Sequence, residues 1–134
     1  MLDSTKLNKN LSGRILLVED SEVNQLVFKG MLDGLGFKVD IAINGEQGVE
    51  MWKQAAYDII FMDVQMPVMS GLAATQLIRS TEKPEEHQMI VAVTANAYEE
   101  DEKACLEAGM DAFVTKPIDI NALKETLFDC LQSI

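Results

Sequence analysis

The sequence is poor in the residues that most often announce chemistry. It holds two cysteines, Cys105 and Cys130, and a single histidine, His87. The cysteines lie far apart in helical patterns, with neither metal-ligand spacing nor a disulfide framework. As buried reduced thiols they fit a cytosolic compartment. His87 stands alone in a charged stretch, which leaves no Ser-His-Asp or Cys-His set. Positive charge is scarce too: Lys and Arg total 11 against 22 Asp and Glu, a net charge of −11. Such a surface repels nucleic acid and anionic membranes and suits basic partners and metal cations. No apolar stretch approaches the ~20 residues of a membrane span. The polar start, Met1 to Ser12, lacks a signal-peptide apolar region and reads as a linker or tail. Internal repeats and low-complexity segments are also missing.

What is present is a core. With 134 residues and 48% hydrophobic content, the chain reads as one folded domain over 13–134. Strand and helix patterns alternate five times. The runs at 14–18, 58–62 and 89–93 are nearly continuous apolar stretches, as expected of strands covered on both faces. Phe37 to Ile41 alternates and predicts an edge strand; the short run at 111–114 predicts another. Val23, Leu26, Val27 and Met31 share a helical face that stops at Gly34 and Gly36. Asn44-Gly45 opens a second helix carrying Val49 and Trp52, and Ser70 caps a third with Leu72, Leu77 and Ile78 as its apolar contacts. Ser80 to Gln88 reads as a solvated loop. A fourth helix starts with the acidic run Tyr98 to Glu102 and has little to bury beyond Ala104, Cys105, Leu106 and Ala108, so it is weakly anchored. Asp119 caps the last, whose stripe is Ile120, Leu123, Leu127 and Leu131. This alternation predicts an α/β fold with a parallel sheet between two helical layers, and right-handed crossovers bring all strand carboxyl ends to one edge.

At that edge the sequence delivers Glu19-Asp20, Asp63, Thr94 and Lys116, each just after an apolar run. Ligands of open parallel sheets bind there. If the first and third strands are neighbours, their ends lie ~4.8 Å apart. Two carboxylates at that distance repel by about 3 kcal/mol at an effective dielectric near 20. Either one acid stays protonated or a cation resides there. With oxygen ligands only, a metal would be hard: magnesium, with manganese as a substitute. Lys116 and Thr94 suit the oxygens of a phosphoryl group. Asp63 is the best candidate nucleophile, a carboxylate that needs no general base.

These residues carry a resemblance. Val18-Glu19-Asp20, Met62-Asp63-Val64-Gln65-Met66-Pro67 with Ser70-Gly71, Val93-Thr94-Ala95 and Phe113-Val114-Thr115-Lys116-Pro117-Ile118 resemble, in order, the motifs of receiver domains of two-component signalling. The resemblance implies a flavodoxin-like, doubly wound (βα)5 sandwich with strand order 2-1-3-4-5. It implies Asp63 as acceptor from a phosphohistidine, and Glu19, Asp20, Asp63 and the Gln65 backbone carbonyl around Mg2+. Thr94 and Lys116 would hold the phosphoryl group. Ala95, Asn96 and Pro117 would neighbour it, with Lys116-Pro117 as a cis peptide. Thr94 and Phe113 would form the switch, coupled to the face of the fourth helix, fifth strand and fifth helix; Phe113 lacks a hydroxyl, so its movement would gain no hydrogen bond. Donors would be a histidine kinase or histidine phosphotransfer domain. Within the family the chain is most similar to receivers of hybrid sensor histidine kinases, which implies the cytoplasmic side of the inner membrane; a stand-alone regulator is the alternative. A flavin carrier is disfavoured because Glu19-Asp20 would repel a phosphate. A haloacid-type phosphatase would need an acid at Gln65, and an inert interaction module would have no use for the retained acids and lysine.

Overall fold

A computed structural model describes residues 13–66, 68–95 and 99–132. Five strands alternate with five helices: β1 Gly13–Val18, α1 Glu22–Gly34, β2 Phe37–Ala42, α2 Gly45–Gln54, β3 Ile59–Asp63, α3 Gly71–Thr81, β4 Met89–Thr94, α4 Glu99–Ala108, β5 Ala112–Thr115 and α5 Ile120–Gln132. The strands form one parallel sheet in the order β2-β1-β3-β4-β5. That is the flavodoxin-like order, with β2 and β5 at the edges. The stretch Met1 to Ser12, read as a linker, lies outside the described residues.

The sheet alternation divides the core in two. Ile15, Leu17, Ile59, Phe61, Val91 and Val93 face α1 and α5, while Leu16, Val18, Ile60, Met62, Ile90 and Ala92 face α2, α3 and α4. Central strands buried on both faces explain the unbroken apolar runs. Each of the Val, Leu, Ile, Phe and Met side chains among them contributes about 1.5–3 kcal/mol when removed from water. Phe28 of α1 meets Phe61 of β3 at 4.9 Å between ring centroids, an aromatic pair that adds about 1 kcal/mol.

Local signals set most boundaries. The side chains of Ser21, Asn44 and Ser70 accept the amides of Asn24, Gln47 and Ala73 at the starts of α1, α2 and α3. Asp119 accepts the Ala122 amide at the start of α5. Leu35 closes α1, and Gly36 follows at φ 100°, a conformation that suits glycine. In α5, Leu123 and Leu127 are buried, with Ile120 and Leu131 packed beside them.

Three expectations are corrected. The apolar face read on α1 is largely outward: Val23, Leu26 and Val27 are 69%, 73% and 52% exposed, while Phe28 and Leu32 are buried. The helix has two apolar faces, and the one with Phe28 covers the sheet. On α3, Leu77 is exposed and Ala74 and Thr75 take its place inside. The loop read over Ser80 to Gln88 begins inside α3, and its Glu82 is not solvated. Arg79 ties it down, contacting Glu82 and Asp111 and donating to the Gly109 and Gln88 carbonyls. Both cysteines are buried and free, Cys105 and Cys130 on opposite faces of the sheet.

Candidate functional site

Register brings the polar residues to one edge. Val18 lies opposite Met62, and Asp63 opposite Val93. Glu19 and Asp20 therefore leave β1 beside Asp63 at the end of β3. Thr94 ends β4 opposite Thr115, and the Lys116 amide donates to the Thr94 carbonyl at 2.8 Å. Glu19, Asp20, Asp63, Thr94, Ala95 and Lys116 all line a cavity of about 140 Å³. A larger cavity of about 540 Å³, near Trp52 and Tyr57, contains none of them.

Glu19 and Asp63 are 1% and 4% exposed, and Asp20 is exposed. One carboxylate oxygen from each of the three lies within 4.8 Å of the others. Adjacent strand ends thus bring the three carboxylates into one cluster. Oxygen donors without histidine or cysteine fit a hard divalent ion, so these residues could hold magnesium. Glu19 is held in place on several sides: its amide donates to the Ala42 carbonyl, its Oε2 accepts the Ser21 amide, and its carbonyl accepts from Gln25 Nε2 at 2.6 Å.

The repulsion among the acids has a resolution the sequence did not expose. The Lys116 Nζ lies 3.1 Å from Glu19 Oε1 and 3.1 Å from Asp63 Oδ2. The cation demanded by the acids is, in part, this ammonium. Burial alone would pull the Lys116 pKa down; the charges and hydrogen bonds of Asp63 and Glu19 outweigh it and hold the group above its ordinary 10.5. The other oxygen of Asp63, Oδ1, accepts the Gln65 amide at 3.2 Å. Both oxygens of the candidate nucleophile are thus oriented, one toward the lysine and one toward the loop. Gln65 also lines the cavity.

The remaining expected residues fall in different places. Thr94 is buried, and Ala95 is exposed at the cavity wall. The Lys116-Pro117 bond is cis. Pro117 lies at the next groove, of about 210 Å³, with Val27, Phe28, Lys116 and Ile118. Phe113 is half-buried opposite Ala92 in the core beneath α4, two positions before the Thr94 level. Asn96, Pro67 and Tyr98 lie outside the described residues. Sequence reasoning missed the outward apolar surface of α1 beside this groove. Its signal, Val23, Leu26 and Val27 at helical spacing, is the same for a face turned to the core and for one turned outward. Two further clusters gave no local signal, since each joins residues distant in sequence. One surrounds Arg79. In the other, Asp40 accepts from Arg14 and from the Tyr57 hydroxyl at 2.8 Å.

Residues 15–128 match the family described as response regulator receiver domain. The chain is 40% identical over 126 residues to hybrid signal transduction histidine kinase G of Dictyostelium discoideum, covering 92% of this chain but 4% of that protein. Among solved structures, it resembles the receiver domain of the sensor histidine kinase PA1611 of Pseudomonas aeruginosa PAO1, which carries a magnesium ion in its active-site cleft. The TM-score is 0.83 at 39% identity, over 90% of this chain and 98% of that one. It also resembles the Saccharomyces cerevisiae structure of the histidine phosphotransfer protein Ypd1 with the receiver domain of Ssk1, with a TM-score of 0.81 at 31% identity, covering 90% and 91%. No helix among the described residues is long and apolar enough to cross a membrane. A five-stranded parallel sheet with acids, threonine and lysine at one carboxyl edge, matched along nearly its whole length, makes this chain a member of the response regulator receiver domains.

Proposed function

We propose that Asp63 is the phosphoacceptor of this receiver and takes its phosphoryl group from a phosphohistidine. The observation that carries the reading is the three-carboxylate cluster with a lysine ammonium 3.1 Å from two of its members. In the transfer, an Asp63 carboxylate oxygen forms a bond to phosphorus as the phosphorus–nitrogen bond of the donor breaks. The electron pair of that bond returns to the imidazole. Little covalent assistance is needed, so the protein's task is positioning and charge stabilisation. Lys116 opposes the negative charge of the incoming oxygens, Thr94 stands at the same edge to donate its hydroxyl, and Ala95 leaves room. Pro117, next to Lys116 in the chain, borders the adjoining groove.

Glu19, Asp20, Asp63 and the backbone carbonyl of Gln65 would hold Mg2+, with Mn2+ as a substitute. When bound, the ion supplies positive charge against the phosphoryl oxygens. The similarity to a receiver carrying magnesium in its cleft supports this choice.

The donor is a histidine kinase or histidine phosphotransfer domain, approaching over α1. There Val23, Leu26 and Val27 are exposed, and Val27 also lines the groove next to Lys116. Such an apolar patch beside a polar site marks a docking surface. We assign the chain to a hybrid sensor histidine kinase on the cytoplasmic side of the membrane. Phosphorylation is read through Thr94 and Phe113 by the α4, β5 and α5 face.

The test is labelling with acetyl phosphate and Mg2+, followed by intact mass measurement. Wild type should gain one phosphoryl group that hydroxylamine removes. Asp63→Asn should gain none and keep its fold. Labelling that persists in Asp63→Asn would move the acceptor elsewhere.

A further inference from the structure

The loop between β3 and α3 carries Gln65, and at Val68 its backbone takes a conformation that this residue type disfavours. Val68 has φ 73°, in the left-handed region, where a β-branched side chain is a genuine outlier. Strain of this kind persists only where the surroundings over-determine the backbone. Both ends of the loop show such surroundings. At Gly71 an added side-chain carbon would collide with the Asp63 carbonyl oxygen, and the Gly71 amide donates to the Val64 carbonyl at 3.1 Å.

The second restraint comes from a helix that lends no side chain to the pocket. Gly45, the first residue of α2, is buried, and a β-carbon there would lie 2.5 Å from the Met69 carbonyl oxygen and 3.2 Å from Ala74 Cβ. The obstacle is loop backbone, which cannot swing aside as a side chain does. Gly45 itself is fixed by reciprocal bonds around it: the Gln47 amide donates to Asn44 Oδ1 at 2.8 Å, and the Ile43 amide to Gln47 Oε1 at 2.7 Å. One turn on, Gly48 offers an internal comparison. The atoms nearest a β-carbon there all belong to the Val18 side chain, with Cγ2 at 2.9 Å.

We propose that Gly45 is a positioning residue for the metal pocket: its bare backbone lets α2 clamp the strained loop at Met69, and that clamp fixes the Gln65 carbonyl. The proposal rests on the reading of that carbonyl as a magnesium ligand. It makes α2, on the face of the sheet away from α1, a determinant of cation affinity.

The test is magnesium titration by calorimetry, with urea unfolding of the same samples, on the full chain. Gly45→Ala should weaken magnesium binding by about 10-fold or more, the scale of lost outer-layer support. Its labelling by acetyl phosphate should be slow at low magnesium and restored at saturation. Gly48→Ala should lose stability and keep the wild-type affinity. Equal affinities in all three proteins overturn the proposal, as does an affinity that falls alike in both variants. Should Gly45→Ala fold poorly, Gly45→Ala with Val68→Gly lets the loop yield and restores the fold. That double variant should still bind magnesium weakly; wild-type affinity in it, or failure of both to fold, assigns Gly45 a structural role only. Absence of magnesium binding by wild type would instead refute the reading of the pocket, whatever Gly45 does.

Discussion

Lys116 stands between two buried carboxylates, and much of the site's behaviour follows from that placement. In Lys116→Ala, Glu19 and Asp63 would lose their shared counter-charge. Breaking one side of a buried ion pair costs about 3 kcal/mol. We expect that loss in urea unfolding without magnesium, most of it regained when magnesium is added, since the acids remain. A loss of equal size in both conditions would count against the lysine as their neutralising partner. A second residue-level prediction concerns the Asp40 cluster. Burial first, then the hydrogen bond and charge of Asp40, push the Tyr57 phenol from 10.0 up to about 12. The fold therefore favours the neutral phenol: its contribution is full below pH 10 and is lost as pH rises through 12. The Tyr57 hydrogen bond, aided by Arg14, outweighs burial and holds Asp40 below its usual 3.8, so that contribution is present above 3.8 and lost on acidification. Tyr57→Phe should cost about 1 kcal/mol at neutral pH and flatten the alkaline limb of stability against pH. An alkaline limb as steep as in wild type would point to another group.

Helices and strands differ in how plainly the sequence marks them. Caps are local chemistry, so Ser70 and Asp119 could be read at the starts of α3 and α5. Strands β1, β3 and β4 could be read because burial on both faces leaves no polar interruption. The orientation of α1 could not. Spacing shows that Val23, Leu26 and Val27 share a side, but only the shape of the sheet decides that Phe28 and Leu32 cover it. The Arg79 cluster was equally hidden, since its partners Gly109 and Asp111 lie about 30 positions away. The weak anchoring read on α4 was legible from composition: it buries Cys105 and Ala108, and Leu106 is exposed. The outward face of α1 yields the prediction at this scale. Leu26→Asp leaves the acid pocket intact and puts a charge in the middle of the apolar patch. Transfer from a phosphorylated histidine phosphotransfer protein should fall by about 10-fold or more, while labelling by acetyl phosphate stays at the wild-type rate. Equal transfer by both proteins would place the docking surface elsewhere.

For the molecule as a whole, alternation of strand and helix was enough to reach the topology, because right-handed crossovers admit few arrangements. The same rule gathers Glu19, Asp20, Asp63, Thr94 and Lys116 at one edge. What alternation could not supply was the balance of charge there. Three acids and one lysine leave a net negative pocket in a chain whose charge is already −11. The apo fold therefore bears a repulsion that a divalent ion would remove, and stability and cation binding are opposed. Asp20 is the member to change, because it is exposed and is not the partner of Lys116. Without magnesium, Asp20→Asn should be more stable than wild type, by about 0.5–1 kcal/mol for a solvent-screened charge. With magnesium at ten times the wild-type dissociation constant, linkage should stabilise wild type by about 1.4 kcal/mol. For a domain of this size that raises Tm by about 5 °C. The variant, lacking one ligand, should gain little at that concentration. The two melting temperatures should cross as magnesium rises. Parallel curves would mean that Asp20 does not contact the ion, and a variant less stable at every concentration would mean that the apo pocket is not under electrostatic strain.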